Sequence, residues 1–115
     1  GGETVVKLTG DGLGGRNQEI ALAAAAEISR KRNLAVFSIG SDGTDGPTDA
    51  AGGYVDGDSA CALQQQGISI ADVLRRNDAY HGLAACDGLL ITGPTGTNVN
   101  DVSVVLIDFE AGKQE

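Results

Sequence analysis

The sequence predicts an α/β domain, a three-layer α/β/α arrangement around a mixed, mostly parallel sheet. Three observations carry that expectation. Strand-like and helix-like segments alternate along the chain, the signature of a sheet wrapped by helices. Apolar residues make up 41% of 115 residues, enough to build one core rather than a disordered chain. The 18 glycines cluster, and three of the four clusters follow apolar runs, which places polar loops on a rigid scaffold where function usually sits.

Thr4–Leu8 (TVVKL) is rich in β-branched residues and closed by Gly10, so it reads as the first strand. Asn17–Lys31 reads as a helix, apolar over most of its surface through Ile20, Leu22, Ala23, Ala24, Ala26 and Ile28. Asn17 is its expected cap, Glu19 suits its positive end, and Arg30, Lys31 and Arg32 suit its negative end. Leu34–Ile39 is a continuous apolar run of strand length, buried on both faces. Strand, helix and strand with short connections imply a right-handed parallel crossover. Ala50–Val55 is a further extended piece. Asp58–Gln66, capped by Asp58 and stopped by Gly67, and Ile70–Arg76 are short helices. Leu89–Thr92 and Val102–Phe109 are the last strands, antiparallel because their polar connection is too short for a helix. Residues 1–109 form one domain, and Glu110–Glu115 a tail.

Composition excludes several function classes. Eight Lys and Arg against sixteen acids give a net charge of −8, which disfavours nucleic acid as a partner. The longest strongly apolar stretch, Ile20–Ala26, is too short to span a membrane. No leader pattern opens the sequence, so the cytoplasm is the expected location. Cys61 and Cys86 lack metal or disulfide spacing, and His81 is the single histidine.

Three loops can carry chemistry. In Gly10–Glu19, Gly10, Gly12 and Gly15 satisfy G-x-G-x-x-G between a strand and a helix, but the acid that would complete a dinucleotide site, Asp42, comes 27 residues after Gly15. The phosphate-loop pattern fails at Arg16 and Asn17. Backbone amides, a helix N-terminus and the Arg16 fork remain available to an anion. A tight turn with Arg16 on a surface carboxylate is the plainer alternative. The second loop packs Asp42, Asp45 and Asp49 into eight residues, with Gly43, Thr44 and Thr48 among them. Such carboxylates suit Mg²⁺ or a base that takes a hydroxyl proton, or simply bond their own backbone in turns. The third loop offers Thr95, Gly96, Thr97, Asn98 and Asn100, neutral donors for a phosphate or sugar, or a hairpin connection.

Together these loops closely resemble the C-terminal domain of the glycerate 2-kinase family. This segment is called the MOFRL domain, in proteins also described as hydroxypyruvate reductases of tartrate utilisation. The matching pieces are Gly14-Gly15-Arg16-Asn17-Gln18-Glu19, Asp45-Gly46-Pro47-Thr48-Asp49-Ala50-Ala51-Gly52 and the run from Gly93 to Asp101. Asn77-Asp78, Tyr80 and Gly1-Gly2-Glu3-Thr4 also fit. The resemblance implies ATP- and Mg²⁺-dependent phosphorylation of D-glycerate to 2-phosphoglycerate, in a cleft shared with a larger N-terminal domain of the same protein. It further implies Arg16 as charge stabiliser and Asp45 as base or metal contact. Gly14, Gly15, Asn17, Gln18, Glu19, Asp42, Gly43, Thr44, Thr48, Asp49 and the third-loop residues would line the cleft. A NAD(P)H-dependent hydroxypyruvate reductase and a ligand-binding module without catalysis are the competing expectations.

Overall fold

A computed structural model describes residues 12–31, 33–93 and 101–107. The predicted strand Thr4–Leu8, the tail and the third-loop residues Thr95, Gly96, Thr97, Asn98 and Asn100 lie outside them. The described chain runs α1 (Arg16–Glu27), β1 (Leu34–Gly40), β2 (Gly52–Asp56), α2 (Ser59–Gln65), α3 (Ile70–Arg75), α4 (Ala79–Ala85), β3 (Leu89–Leu90) and β4 (Asp101–Ile107).

The α/β class holds, but the sheet is antiparallel, not mostly parallel. Its strand order is β3-β2-β1-β4, and every described pair is antiparallel. The expected pairing of Leu89–Thr92 with Val102–Phe109 does not form, since β3 lies on β2 and β4 on β1 at opposite edges. Between β1 and β2 lies only the loop 41–51, without a helix, so the chain must reverse rather than cross over. The described helices also form one layer rather than two. A single core joins Leu22 and Ala25 of α1, Leu63 of α2, Val73 of α3 and Leu83 of α4 to Val36 and Val55 of the sheet. Val36 and Val55 are directly paired and so share a face. On the opposite face Tyr54, Val102 and Leu106 are exposed.

Helix α1 stops four residues short of the predicted end. Ile28 is buried and serves as its C-cap, and Arg30 takes φ 70° while its N–H bonds the Gly57 carbonyl. Arg30 and Lys31 therefore lie beyond the last turn instead of complementing it. Asp58 precedes α2 without capping it through its side chain. Ser69 does cap α3, accepting from the Asp72 N–H. Helix α4 has no counterpart in the sequence reading. Gly82 in its middle weakens it locally, yet a side chain there would stand 3.0 Å from Val73 and 3.1 Å from Leu22.

One end of the sheet gathers the loops even without parallel strands. Gly40 closes β1 opposite Asp101, which opens β4, and Ile39 pairs with Gly52, which opens β2. The N-terminus of α1 reaches the same end through Arg16 and Asp101.

Candidate functional site

At this junction the carboxylate of Asp45, buried in the loop between β1 and β2, sits on the N-terminus of α1. Its Oδ1 accepts from the Asn17 N–H and Nδ2, both at 3.1 Å. Its Oδ2 accepts from the Gln18 N–H and Nε2, both at 2.9 Å. The helix cannot cap itself, because Gly15 stands at the cap position without a side chain. Asp45 supplies the missing anion from 27 residues away, where the helix end carries partial positive charge.

The glycines serve that contact. A Cβ on Gly15 would fall 2.6 Å from Asp45 Oδ2. Gly46 adopts φ +65°, and a side chain there would meet the Gly14 carbonyl at 2.3 Å. The two loops pack backbone against backbone, and the anion place expected at the α1 terminus is filled from within the chain. Asn17 is correspondingly the second residue of the helix rather than its cap.

A polar chain continues from Asp45, buried at Asn17 and Ser38 and reaching the exposed Ser103. Asn17 Oδ1 accepts from Ser38 Oγ at 2.6 Å, and Ser38 Oγ lies 2.7 Å from Ser103 Oγ on β4. Gln18 Nε2 also donates to Thr48 Oγ1 and the Asp45 carbonyl. Its Oε1 is buried with no hydrogen-bond partner. Both Asp45 oxygens are thus engaged by N–H donors, which does not suit a base or a metal ligand.

Arg16 opens α1 and pairs through Nε with Asp101 Oδ2, with the side chains 37% and 28% exposed. The Arg16 hydrogen bond holds the Asp101 carboxyl below its ordinary value. Asp42 Oδ1 accepts from the Thr44 N–H and Oγ1 in a local turn. Gly43 completes that turn, its N–H bonding the Gly40 carbonyl.

A second edge comes from the start of α4. Asp78 Oδ1 accepts from the Leu13 N–H at 2.9 Å and faces His81 Nδ1 at 2.7 Å. Burial pushes the Asp78 carboxyl up, but the Leu13 amide, His81 and Arg76 outweigh it and leave it below its ordinary value. Tyr80 returns a backbone bond to the Leu13 carbonyl and donates its hydroxyl to Asp49 Oδ1 at 2.8 Å. That bond raises the Tyr80 phenol above its ordinary value. Glu19 accepts from Asn77 Nδ2.

Of the predicted residues, the structure brings Gly14, Gly15, Arg16, Asn17, Gln18, Asp45 and Thr48 together, with Asp49 tied in by Tyr80. Asp42 and Thr44 stay within their own turn. Sequence reasoning missed Asp101, Ser38 and Asp78 as parts of the junction. Asp78 and Tyr80 belong to the pattern shared with the glycerate 2-kinase family, and that was their only signal. Among the described residues no group of three or more His, Cys, Asp or Glu can hold a metal ion.

The described fold is an α/β domain that presents Arg16 at one end of its sheet, beside loops locked by the buried Asp45 carboxylate. Comparison makes the assignment specific: residues 1–101 match the MOFRL family, and the chain belongs to it. It is 54% identical over 107 residues to a D-glycerate 2-kinase of Thermotoga maritima, covering 93% of this chain and 26% of that protein. It is 48% identical to a glycerate 2-kinase of Pyrococcus horikoshii, covering 98% of this chain and 26% of the relative. The crystal structure of the Thermotoga maritima glycerate kinase superposes with a TM-score of 0.89 over 94% of this chain and 26% of that one. The chain spans about a quarter of the length of these relatives.

Proposed function

We propose that this chain is the C-terminal part of an ATP-dependent kinase that phosphorylates the 2-hydroxyl of D-glycerate to give 2-phosphoglycerate. The 54% identity to a D-glycerate 2-kinase, extending over 93% of the chain, carries the reading. The site would lie in a cleft with the larger N-terminal domain of the same protein, in the cytoplasm. No described helix is long and apolar enough to cross a membrane.

Phosphoryl transfer asks the protein for position and for positive charge near the transferred group. Arg16 would supply that charge, to the phosphoryl oxygens or to the glycerate carboxylate. Asp45 would act as a positioning residue that fixes the first turn of α1 and so the root of Arg16. Gly14, Gly15, Asp42, Gly43, Thr44, Asp49, Thr95, Gly96, Thr97, Asn98 and Asn100 would line the cleft. The described residues do not by themselves form a Mg²⁺ site, since Asp45 has its oxygens engaged and no three-ligand group stands beside it. No catalytic step is therefore routed through the metal.

The same geometry weighs against a nicotinamide cofactor on loop one. A bound pyrophosphate would need the first amides of α1, and those of Asn17 and Gln18 donate to Asp45.

The test is ADP release from Mg·ATP and D-glycerate by the full-length protein, beside a cuvette of hydroxypyruvate and NADH. Arg16→Ala is expected to lower kcat by roughly a hundred- to a thousandfold, the usual cost of removing one donor to developing charge. NADH oxidation without ADP release would overturn the kinase reading. Near-normal turnover by Arg16→Ala would remove Arg16 from the site.

A further inference from the structure

We propose that Asp101 is a positioning residue for Arg16, orienting the guanidinium at the sheet end; the proposal deepens the kinase reading and rests on it. The contact itself points this way. Asp101 meets Arg16 through Nε, and both side chains are about one-third exposed. A part-exposed ion pair of this kind adds little stability. Its physical effect is to fix the plane of a planar, forked cation whose geometry decides what it can bind.

Asp101 is itself held on several sides. It opens β4 directly opposite Gly40, in a register that places Asp101 and Ser103 on the same face as Ser38, the face covered by α1. Ser103 shares its hydrogen bond with Ser38, Ser38 donates to Asn17, and Asn17 follows Arg16 in the chain. Arg16, Asp101, Ser103, Ser38 and Asn17 therefore form a closed circuit of side-chain and backbone links. A slip of β4 by one residue would turn Asp101 to the opposite face and break the circuit at two points. The Arg16 hydrogen bond also favours the ionised form of Asp101, holding its carboxyl below the ordinary value. The guanidinium is thus anchored to a sheet strand at one side and to the first turn of a helix at the other.

The experiment uses the full-length protein carrying Asp101→Asn, Asp101→Glu or no change, with two readouts. In ADP-release assays Asp101→Asn is expected to lower kcat by roughly ten- to a hundredfold, with a smaller change in KM. The melting temperature should fall by no more than a few degrees, as fits a part-exposed ion pair, and Asp101→Glu should recover part of the rate. Unchanged kinetics in Asp101→Asn, or a higher kcat/KM, would overturn the proposal. Selective ¹⁵N-arginine labelling, with the Arg16 signal assigned through Arg16→Lys, reads the Nε–H without reference to turnover. That proton should exchange slowly in wild type and fast in Asp101→Asn; equal exchange in both would also overturn the proposal. If wild type released no ADP from D-glycerate, the kinase reading would fall, and the exchange data would still decide whether Asp101 orders Arg16.

Discussion

Gln18 gives both its backbone N–H and its side-chain Nε2 to a single oxygen of Asp45, each at 2.9 Å. Asn17 does the same to the other oxygen. Four donors from two consecutive residues thus converge on one buried carboxylate. Truncating it would strip the two backbone N–H groups and Asn17 Nδ2 of this acceptor, while Gln18 Nε2 keeps Thr48 Oγ1 and the residue-45 carbonyl. Asp45→Ala is expected to cost about 2–4 kcal/mol, combining a lost helix cap with buried unpaired N–H groups. Urea denaturation measures it; a loss under about 1 kcal/mol would mean the donors find other partners.

Gly46 tests the same contact from the backbone side. Its φ of +65° and the Gly14 carbonyl 2.3 Å from any added Cβ leave no room for alanine. Gly46→Ala should destabilise by about 2 kcal/mol or more, and the urea midpoint should fall with little change in slope. A neutral substitution would show that the two loops separate easily.

The buried Ser38 links Asn17 to the exposed Ser103. Ser38→Ala removes a donor from the buried Asn17 Oδ1, and the expected loss is about 1–3 kcal/mol. Because Ser103 lies on β4, amide hydrogen exchange in that strand should quicken more than in α3. Uniform exchange across the molecule would argue against a local link.

Acid should unfold the protein partly through Asp78 and Asp101. Both carboxyls lie below 3.8 in the fold. Their contribution is complete above the unfolded value and is lost as pH falls through the lowered folded values. The part of stability due to these two groups is therefore flat from about pH 7 to 5 and declines below about pH 4. Asp78→Asn with Asp101→Asn should make the acid limb of the urea midpoint shallower than in wild type. Identical acid limbs would refute the assignment.

Tyr80 offers a spectroscopic check on the link between loop two and α4. Asp49 holds the phenol above its usual value of 10.0 through their hydrogen bond. In a Tyr54→Phe background, where Tyr80 is the only tyrosine left, Asp49→Asn should move phenolate absorbance to lower pH. An unmoved titration would mean that the bond does not persist in solution.

What the sequence made legible was local. The α1, β1 and α3 segments follow from apolar spacing within a few residues, and their cores match the structure closely. Strand direction was not legible from composition, because LAVFSI reads alike in either orientation. The loop 41–51 did contain the answer, since a connection without a helix reverses the chain. Helix α4 escaped because Gly82 suppresses its propensity, and its support comes from packing against Val73 of α3 and, far along the chain, Leu22 of α1. At the site, Arg16 was visible as a cation beside glycines. Asp45 looked like a free acid because its four donors lie 27 and 28 residues away. Asp101 lies 85 residues from Arg16, and no local pattern reports such a pairing.

The pairing of β1 with β4 sets an order of events during folding. Gly40 must wait for Asp101, and the intervening chain holds three helices and two strands. Loop closure over that length is paid late, after the local elements exist. The Asp45 lock on α1 can form with the first fifty residues, whereas the Arg16–Asp101 contact needs the last strand in place. A chain emerging during synthesis would build the scaffold of the site well before it could orient the arginine.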